Sequence, residues 1–281
     1  MREIHFDDVV AAVRDMSIEA NLFLKDDVKE ALKHAYEREE SGTGKSILRM
    51  VLENIEVAEA ERLPLCQDTG LAVFFVEMGE EAKVSGDGVA KAINEGVRRG
   101  YKDGYLRKSV VDDPVRRKNT GDNTPAIIHF DVVPGTHLKI ALAPKGGGSE
   151  NMSTVKMFSP SAGWEGMKKF VLEWVFKSGG NPCPPSIIGI GVGGNFELAA
   201  INAKKALVFR KIGQRNPDPF WAGKEVELLD DINKLGVGPM GLGGVVTSLE
   251  VFIESAPCHI ASMPMAINTQ CHANRHAFRE L

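Results

Sequence analysis

Three cysteines sit in segments whose neighbours suggest chemistry rather than packing. Cys66 lies in LPLCQDTG (63–70), followed at once by Gln67, Asp68, Thr69 and Gly70. A thiol beside an amide, a carboxylate and a hydroxyl is in polar company for a residue type that is usually buried. The segment reads equally as a structural thiol or as a site. Cys183 lies in NPCPPS (181–186), where flanking prolines remove backbone donors and fix the path of the chain. That stiffness suits a ligating thiolate, and it also suits an ordinary rigid loop. Cys271 lies in INTQCHANRH (267–276), among Asn268, Gln270, His272, Asn274, Arg275 and His276. Six polar neighbours favour a reactive or ligating thiol there. Cys258, in APCHIASMPM, opens an apolar run and reads as a buried structural thiol. His259 and His272 bring zinc to mind, but no C-x-x-C or H-x-x-x-H spacing is present.

Glycine-rich segments supply a second kind of candidate. In KGGGSENMS (145–153), Gly146, Gly147 and Gly148 follow a strand-like run, and Ser149, Glu150 and Asn151 open a helix-like stretch. Free backbone amides at such a junction suit a carboxylate or another anion. Arg107, in YLRKSVV, is a candidate anion clamp, although a lone Arg is ordinarily a solvated or structural charge. GIGVGG (189–194) departs from the G-x-G-x-x-G dinucleotide fingerprint and reads first as a tight strand-to-helix turn. SGTGKS (41–46) lacks the leading glycine of a phosphate loop, since that position is Glu39, and reads as an interhelical turn.

The elements that must hold these segments can be read from periodicity. The first 62 residues carry three amphipathic helical patterns, the third with Ile47, Leu48, Val51, Leu52, Ile55 and Ala58 on one face. After Leu63 the texture changes. LAVFFVEMG (71–79) and SIIGIGVGG (186–194) read as strands. AIIHFDVV (126–133) and HLKIALAP (137–144) read as a hairpin turning at Pro134-Gly135, and 247–257 and 258–267 as two late strands. Helices are expected around Val89–Val97, Met167–Phe176 and 197–209. Helices and strands do not alternate strictly, so the expected class is mixed α/β, with α+β favoured over a doubly wound sheet. An N-terminal helical layer precedes a mixed sheet with packed helices. No linker stands out, so 1–281 is expected to be a single domain, helical over 1–62 and mixed α/β over 63–281.

Composition narrows the class of function. Hydrophobic residues at 43% and charged residues at 26% describe a chain able to build a core. The net charge of −4 lacks the basic excess expected of a nucleic-acid or anionic-membrane binder. No apolar stretch approaches the ~20 residues of a membrane helix. The N-terminus has no secretory apolar region, so a cytoplasmic location is expected. Four cysteines are too few for a disulfide scaffold.

Taken together, LPLCQDTG, KGGGSENMS, NPCPPSIIGIGVGG and NTQCHANRH resemble the motifs of class I, iron–sulfur-dependent fumarate hydratases, a family that includes L-tartrate dehydratase. The resemblance runs from about residue 10 to the C-terminus. Single-chain members carry a second catalytic domain, whereas this chain ends soon after the third cysteine motif. It therefore resembles the alpha subunit of a two-subunit enzyme, and the fold expected is that of the class I fumarase N-terminal domain. The resemblance implies a [4Fe-4S] cluster held by Cys66, Cys183 and Cys271, with Cys258 structural. Three thiolates leave one iron open as a Lewis acid. The implied reaction is reversible dehydration of (S)-malate to fumarate, with tartrate dehydration as the alternative. A non-catalytic, metal-stabilised binding subunit is a remote third reading. Gln67, Asp68, Arg107 and the Gly146–Gly148 backbone are the implied substrate contacts, with Gly147 foremost and Asp68 in proton transfer at the hydroxyl. The implied partners are a small dicarboxylate and a separate beta subunit that supplies the C3 base. A higher symmetric oligomer is expected, and no nucleic acid or membrane.

Overall fold

The structure is a computed structural model that describes all 281 residues. The chain runs β1 (Arg2–Ile4), α1 (Phe6–Leu22), α2 (Asp26–Arg38), α3 (Gly42–Glu61), β2 (Leu71–Gly79), β3 (Ala82–Val84), α4 (Val89–Asp103), β4 (Ile127–Val133) and β5 (Leu138–Lys145). It continues through α5 (Gly147–Glu150), β6 (Thr154–Phe158), α6 (Gly163–Ser178), β7 (Ser186–Gly194), α7 (Phe196–Phe209), α8 (Pro219–Asn233), β8 (Ser248–Cys258), β9 (Met263–Gln270) and β10 (Ala277–Glu280). Separate mixed sheets with packed helices make this the α+β form of the expected mixed α/β class. No helix is long and apolar enough to cross a membrane.

The chain divides into two compact units. The first comprises Met1–Leu24, Ile55–Gly147 and Arg275–Leu281; the second comprises Lys25–Asn54 and Gly148–Asn274. The division falls inside α3 and inside the glycine run, not at the change of sequence texture near residue 63.

In the first unit the main sheet has the order β10-β5-β2-β4. β2 is buried along most of its length because it has neighbours on both sides, parallel β4 and antiparallel β5. Phe74 and Val76 of β2 and Leu138, Ile140 and Leu142 of β5 meet Val9, Val13 and Met16 of α1 and Ile93 and Val97 of α4. The helices approach closely through glycines four residues apart. A Cβ on Gly96 would stand 2.5 Å from the Val13 Cβ, and one on Gly100 2.7 Å from the Ser17 Cβ.

The hairpin expected over 126–144 does not form, because β2 lies between its two arms. Two strand spacings, roughly 10 Å, separate β4 from β5. Residues 134–137 cross that gap, since four extended residues reach about 13 Å. The crossing is fastened by Glu80 N donating to Val133 O and Gly79 N to His137 O. Burial decides the order: apolar β2 takes the centre, while β4, largely exposed, takes the edge.

In the second unit the sheet order is β6-β9-β7-β8, with β7 parallel to β8 and antiparallel to β9. Alternation along β7 sends Ile188, Ile190 and Val192 toward Val171 of α6 and Leu228 and Ile232 of α8. The opposite face carries Gly189 and Gly191, where a Cβ would meet the Ala203 oxygen at 2.1 Å and the Ala199 oxygen at 2.0 Å. These glycines therefore let α7 lie directly on the strand, which is the structural reading of GIGVGG. α2 ends at Glu39, whose buried carboxylate accepts amides from Glu40, Ser41, Val245 and Val246. The interhelical turn expected over SGTGKS is confined to 39–41: only Ser41 of the motif lies between α2 and α3, and Gly42–Ser46 already form the start of α3.

Candidate functional site

In the first unit, α3 ends at Glu61 and the chain makes an irregular passage to β2 through Cys66, Gln67, Asp68 and Thr69. Gly70 allows that passage. Its φ of +79° suits glycine, and a Cβ there would stand 2.8 Å from the Lys145 amide. The loop is held by its backbone. Tyr101, fully buried, donates its hydroxyl to the Thr69 oxygen at 2.8 Å, and burial pushes its pKa above the ordinary phenol value. Asn123, also buried, donates to the Gly70 oxygen at 3.1 Å and accepts the Ser109 amide at 2.7 Å. The Thr69 hydroxyl donates to the Arg107 main-chain oxygen at 2.9 Å. The segment carrying Arg107 is thus laced to the segment carrying Cys66, and the Arg107 side chain is exposed.

Cys66 is half-buried. Its Sγ donates to Gln67 Oε1 at 3.4 Å and accepts the Asp68 amide at 3.4 Å. Asp68 uses both carboxylate oxygens: Oδ1 accepts the Gly70 amide at 3.0 Å, and Oδ2 accepts the Gly147 amide at 2.7 Å. The Gly147 N–H expected to meet a substrate carboxylate is therefore held by a carboxylate of the chain itself. Gly146 is buried beneath this contact, and a Cβ there would stand 3.2 Å from Asp68 Oδ2. Gly147 is exposed, and its Cβ would have ordinary contact at 3.8 Å.

The second unit positions the other two cysteines. Cys183 is exposed, in the loop before β7, with φ +57°. A left-handed conformation is uncommon for a residue other than glycine, and such outliers gather at functional sites. Its main-chain oxygen contacts His272 Nδ1 at 3.1 Å, so the loop of Cys183 is tied to the residue after Cys271. Cys271, half-buried, directly follows β9. Just before it, Asn268 Nδ2 donates to Glu150 Oε2 at 3.1 Å and to Ser153 Oγ at 3.0 Å, and Lys204 pairs with the same Glu150. The turn after the glycine run is thereby fixed to the strand leading to Cys271. Gly148 faces the Asn181 oxygen of the Cys183 loop, 3.3 Å from its Cβ position.

Cys66, Gln67, Asp68, Gly146, Gly147 and the Arg107 backbone thus gather in the first unit, and Gly148, Cys183 and Cys271 in the second. All four cysteines are free thiols, and no three His, Cys, Asp or Glu side chains are gathered as a single-ion site. Cys258 departs from expectation. It ends β8 instead of opening the next strand, and it is exposed, with its Sγ donating to the Ser262 oxygen at 3.3 Å. The apolar run after it turns at 259–262 before re-entering the sheet as β9.

Sequence reading missed Asn123 and Arg275. Arg275 figured only as a polar neighbour of Cys271, yet it is almost fully buried and donates to Asn21 and to the Asp68 main-chain oxygen. The available signal was its place two residues before Ala277, the buried residue by which the chain rejoins the sheet at its edge.

Comparison with known proteins shows what the whole chain is similar to. The sequence model of the family described as Fumarate hydratase (Fumerase) matches residues 10–280. A protein of Methanocaldococcus jannaschii named "Putative L(+)-tartrate dehydratase subunit alpha" is 46% identical over 268 residues, covering 94% of each chain. The "L(+)-tartrate dehydratase subunit alpha" of Escherichia coli strain UTI89 is 35% identical over 256 residues, covering 90% of this chain and 84% of its own. The protein of the same name in strain K12 is 34% identical over the same length. On the match across 10–280 and on these relatives, the chain belongs to the fumarate hydratase family.

Proposed function

We propose that the chain is the alpha subunit of an iron–sulfur hydro-lyase that reversibly removes water from a 2-hydroxydicarboxylate, (S)-malate giving fumarate. The observation that carries this is the family match over residues 10–280 together with three free thiols at the three motif positions. The relatives' names favour a second reading on the same chemistry, dehydration of L-tartrate to oxaloacetate.

Cys66, Cys183 and Cys271 are the residues that would hold a [4Fe-4S] cluster. The donor set suits it. None of the three cysteines is in a disulfide and all three lie on loops, and the Asp68 N–H already points at Cys66 Sγ, the kind of contact that tunes cluster sulfurs. The cluster supplies Lewis acidity toward the C2 hydroxyl as it leaves, because three thiolates leave one iron without a protein ligand.

The chain's own residues do the rest of the binding. The Gly147 amide takes a substrate carboxylate when Asp68 gives it up, and Arg107, exposed and laced to the Cys66 loop, takes the other. Gln67, adjacent to the Cys66 thiol, orients the hydroxyl. Asp68 Oδ2, released from Gly147, works in the proton transfer at the hydroxyl: it delivers the proton with which the hydroxyl leaves as water, and takes a proton from water in the hydration direction. The C3 base and the remaining cationic contacts come from a separate beta subunit, in a cytoplasmic complex that forms a higher symmetric oligomer. The test is steady-state kinetics of the chain with its partner subunit, prepared without oxygen, on (S)-malate and L-tartrate. Fumarate formed from malate with the larger kcat/KM supports the first reading, and oxaloacetate from tartrate supports the second. Neither product from a cluster-loaded complex contradicts both.

A further inference from the structure

The unit that carries Asp68 buries an arginine that makes no ion pair. Arg275 is 2% exposed and heads the largest fully buried side chains of the protein. Its Nη1 donates to Asn21 Oδ1 at 3.0 Å, and its Nη2 to the Asp68 main-chain oxygen at 2.9 Å. Both acceptors are neutral, and the buried Nε meets no acceptor. Arg210, the other buried arginine, is by contrast paired with Glu225. A buried cation without an ion-pair partner is costly, and so is an unmade hydrogen bond on it. The charge is also well placed. Arg275 Nη2 and Asp68 Oδ2 both lie within 4 Å of the point where a Gly146 Cβ would stand.

We propose that Arg275 is a positioning residue for the dicarboxylate substrate. Its paired hydrogen bonds fix the Asp68 carbonyl, which sets the Asp68 carboxylate over the glycine run. Its charge, not taken up in an ion pair, stabilises the anion that replaces Asp68 at the Gly147 amide. The inference rests on the dicarboxylate reading above and assigns the charge that reading lacks within the fold. A carboxylate bound at Gly147 without a cation nearby would displace Asp68 with no gain, because one anion would simply exchange for another.

The test is calorimetric titration of succinate into the complex with the partner subunit, prepared without oxygen. Succinate has two carboxylates and no hydroxyl to lose, so it reports binding alone. Asn21→Asp is the informative variant: it places a carboxylate at the atom Nη1 already touches, with almost no change of size. Asn21→Asp gives up the bond from Asn21 Nδ2 to the Ser17 oxygen, at 2.9 Å, in exchange for an ion pair with Arg275; we expect it to stay folded by circular dichroism and to weaken succinate about tenfold or more. Arg275→Gln should weaken it at least as much, and Arg275→Lys should recover part of the loss. Wild-type binding with Asn21→Asp unchanged overturns the inference and leaves the dicarboxylate reading standing. A folded wild-type complex that binds no succinate overturns that reading, and the inference falls with it.

Discussion

The carboxylate of Asp68 accepts the amide of Gly147 across 79 residues of sequence, at 2.7 Å. This contact joins the cysteine-bearing loop before β2 to the glycine run after β5. It also occupies the N–H that the proposed function assigns to a substrate carboxylate, so under that proposal Asp68 and substrate compete for one donor.

Replacing Asp68 by Asn should separate binding from turnover. The neutral side chain keeps an oxygen for one amide and removes a like charge from the path of an incoming dicarboxylate. We expect kcat to fall by about a hundredfold or more, with KM unchanged or lower. A variant in which KM rises and kcat holds would place Asp68 in binding alone.

Gly146 and Gly147 should respond differently to the same added methyl group. In Gly146→Ala the new Cβ stands 3.2 Å from Asp68 Oδ2 in a buried position, so the carboxylate must shift. In Gly147→Ala the contact is 3.8 Å at an exposed residue. Gly146→Ala should lose roughly ten- to a hundredfold in kcat/KM, and Gly147→Ala should stay within about threefold of wild type. Kinetics on the two purified variants check this.

Glu39 provides a pH-dependent element of stability. Desolvation raises its pKa, but hydrogen bonds from Ser41, Val245, Val246 and Glu40 amides outweigh burial, and the net shift is downward. A carboxylate with a depressed folded pKa contributes stability above its unfolded value, near 4.3, and loses it as pH falls through the folded value. Glu39→Gln should therefore destabilise by about 1–3 kcal/mol at pH 7. The difference from wild type should shrink as pH drops below the unfolded pKa. Denaturant unfolding at pH 7 and at pH 3–4 measures both.

Close packing of α7 on β7 can be tested with two alanines. Gly191→Ala drives a Cβ to 2.0 Å from a helix carbonyl, so strand and helix must part. A loss of roughly 3 kcal/mol or more is expected. Gly223→Ala, in the interior of α8 with nothing within 4 Å, should raise stability by about 0.5–1 kcal/mol. Thermal unfolding of both variants would reveal an opposite sign.

What could be read in the sequence was what local pattern encodes. The helical periodicity of the first 62 residues and the apolar runs of β2 and β7 became the expected elements. What could not be read depended on distant partners. The segments of β4 and β5 look like a hairpin because nothing local announces that β2, more than 40 residues earlier, takes the place between them. Cys258 heads an apolar run, yet the run turns before it enters the sheet, so the thiol stays outside. Arg275 and Asn123 are polar residues in polar stretches, and only the tertiary fold reveals that they are buried against the loop of Asp68. The cysteine motifs were visible as residue types. The hydrogen bonds that hold them, Tyr101 to Thr69 and His272 to the Cys183 oxygen, were not.

The most direct test of the account is the iron and acid-labile sulfide content of the complex with its partner subunit, prepared without oxygen. It should be measured for wild type and for Cys66→Ser, Cys183→Ser, Cys271→Ser and Cys258→Ser. About four iron and four sulfide per chain are expected, lost in each of the first three variants and retained in Cys258→Ser. Iron-free wild-type protein, or loss confined to Cys258→Ser, would contradict the assignment of Cys66, Cys183 and Cys271 and the chemistry built on it.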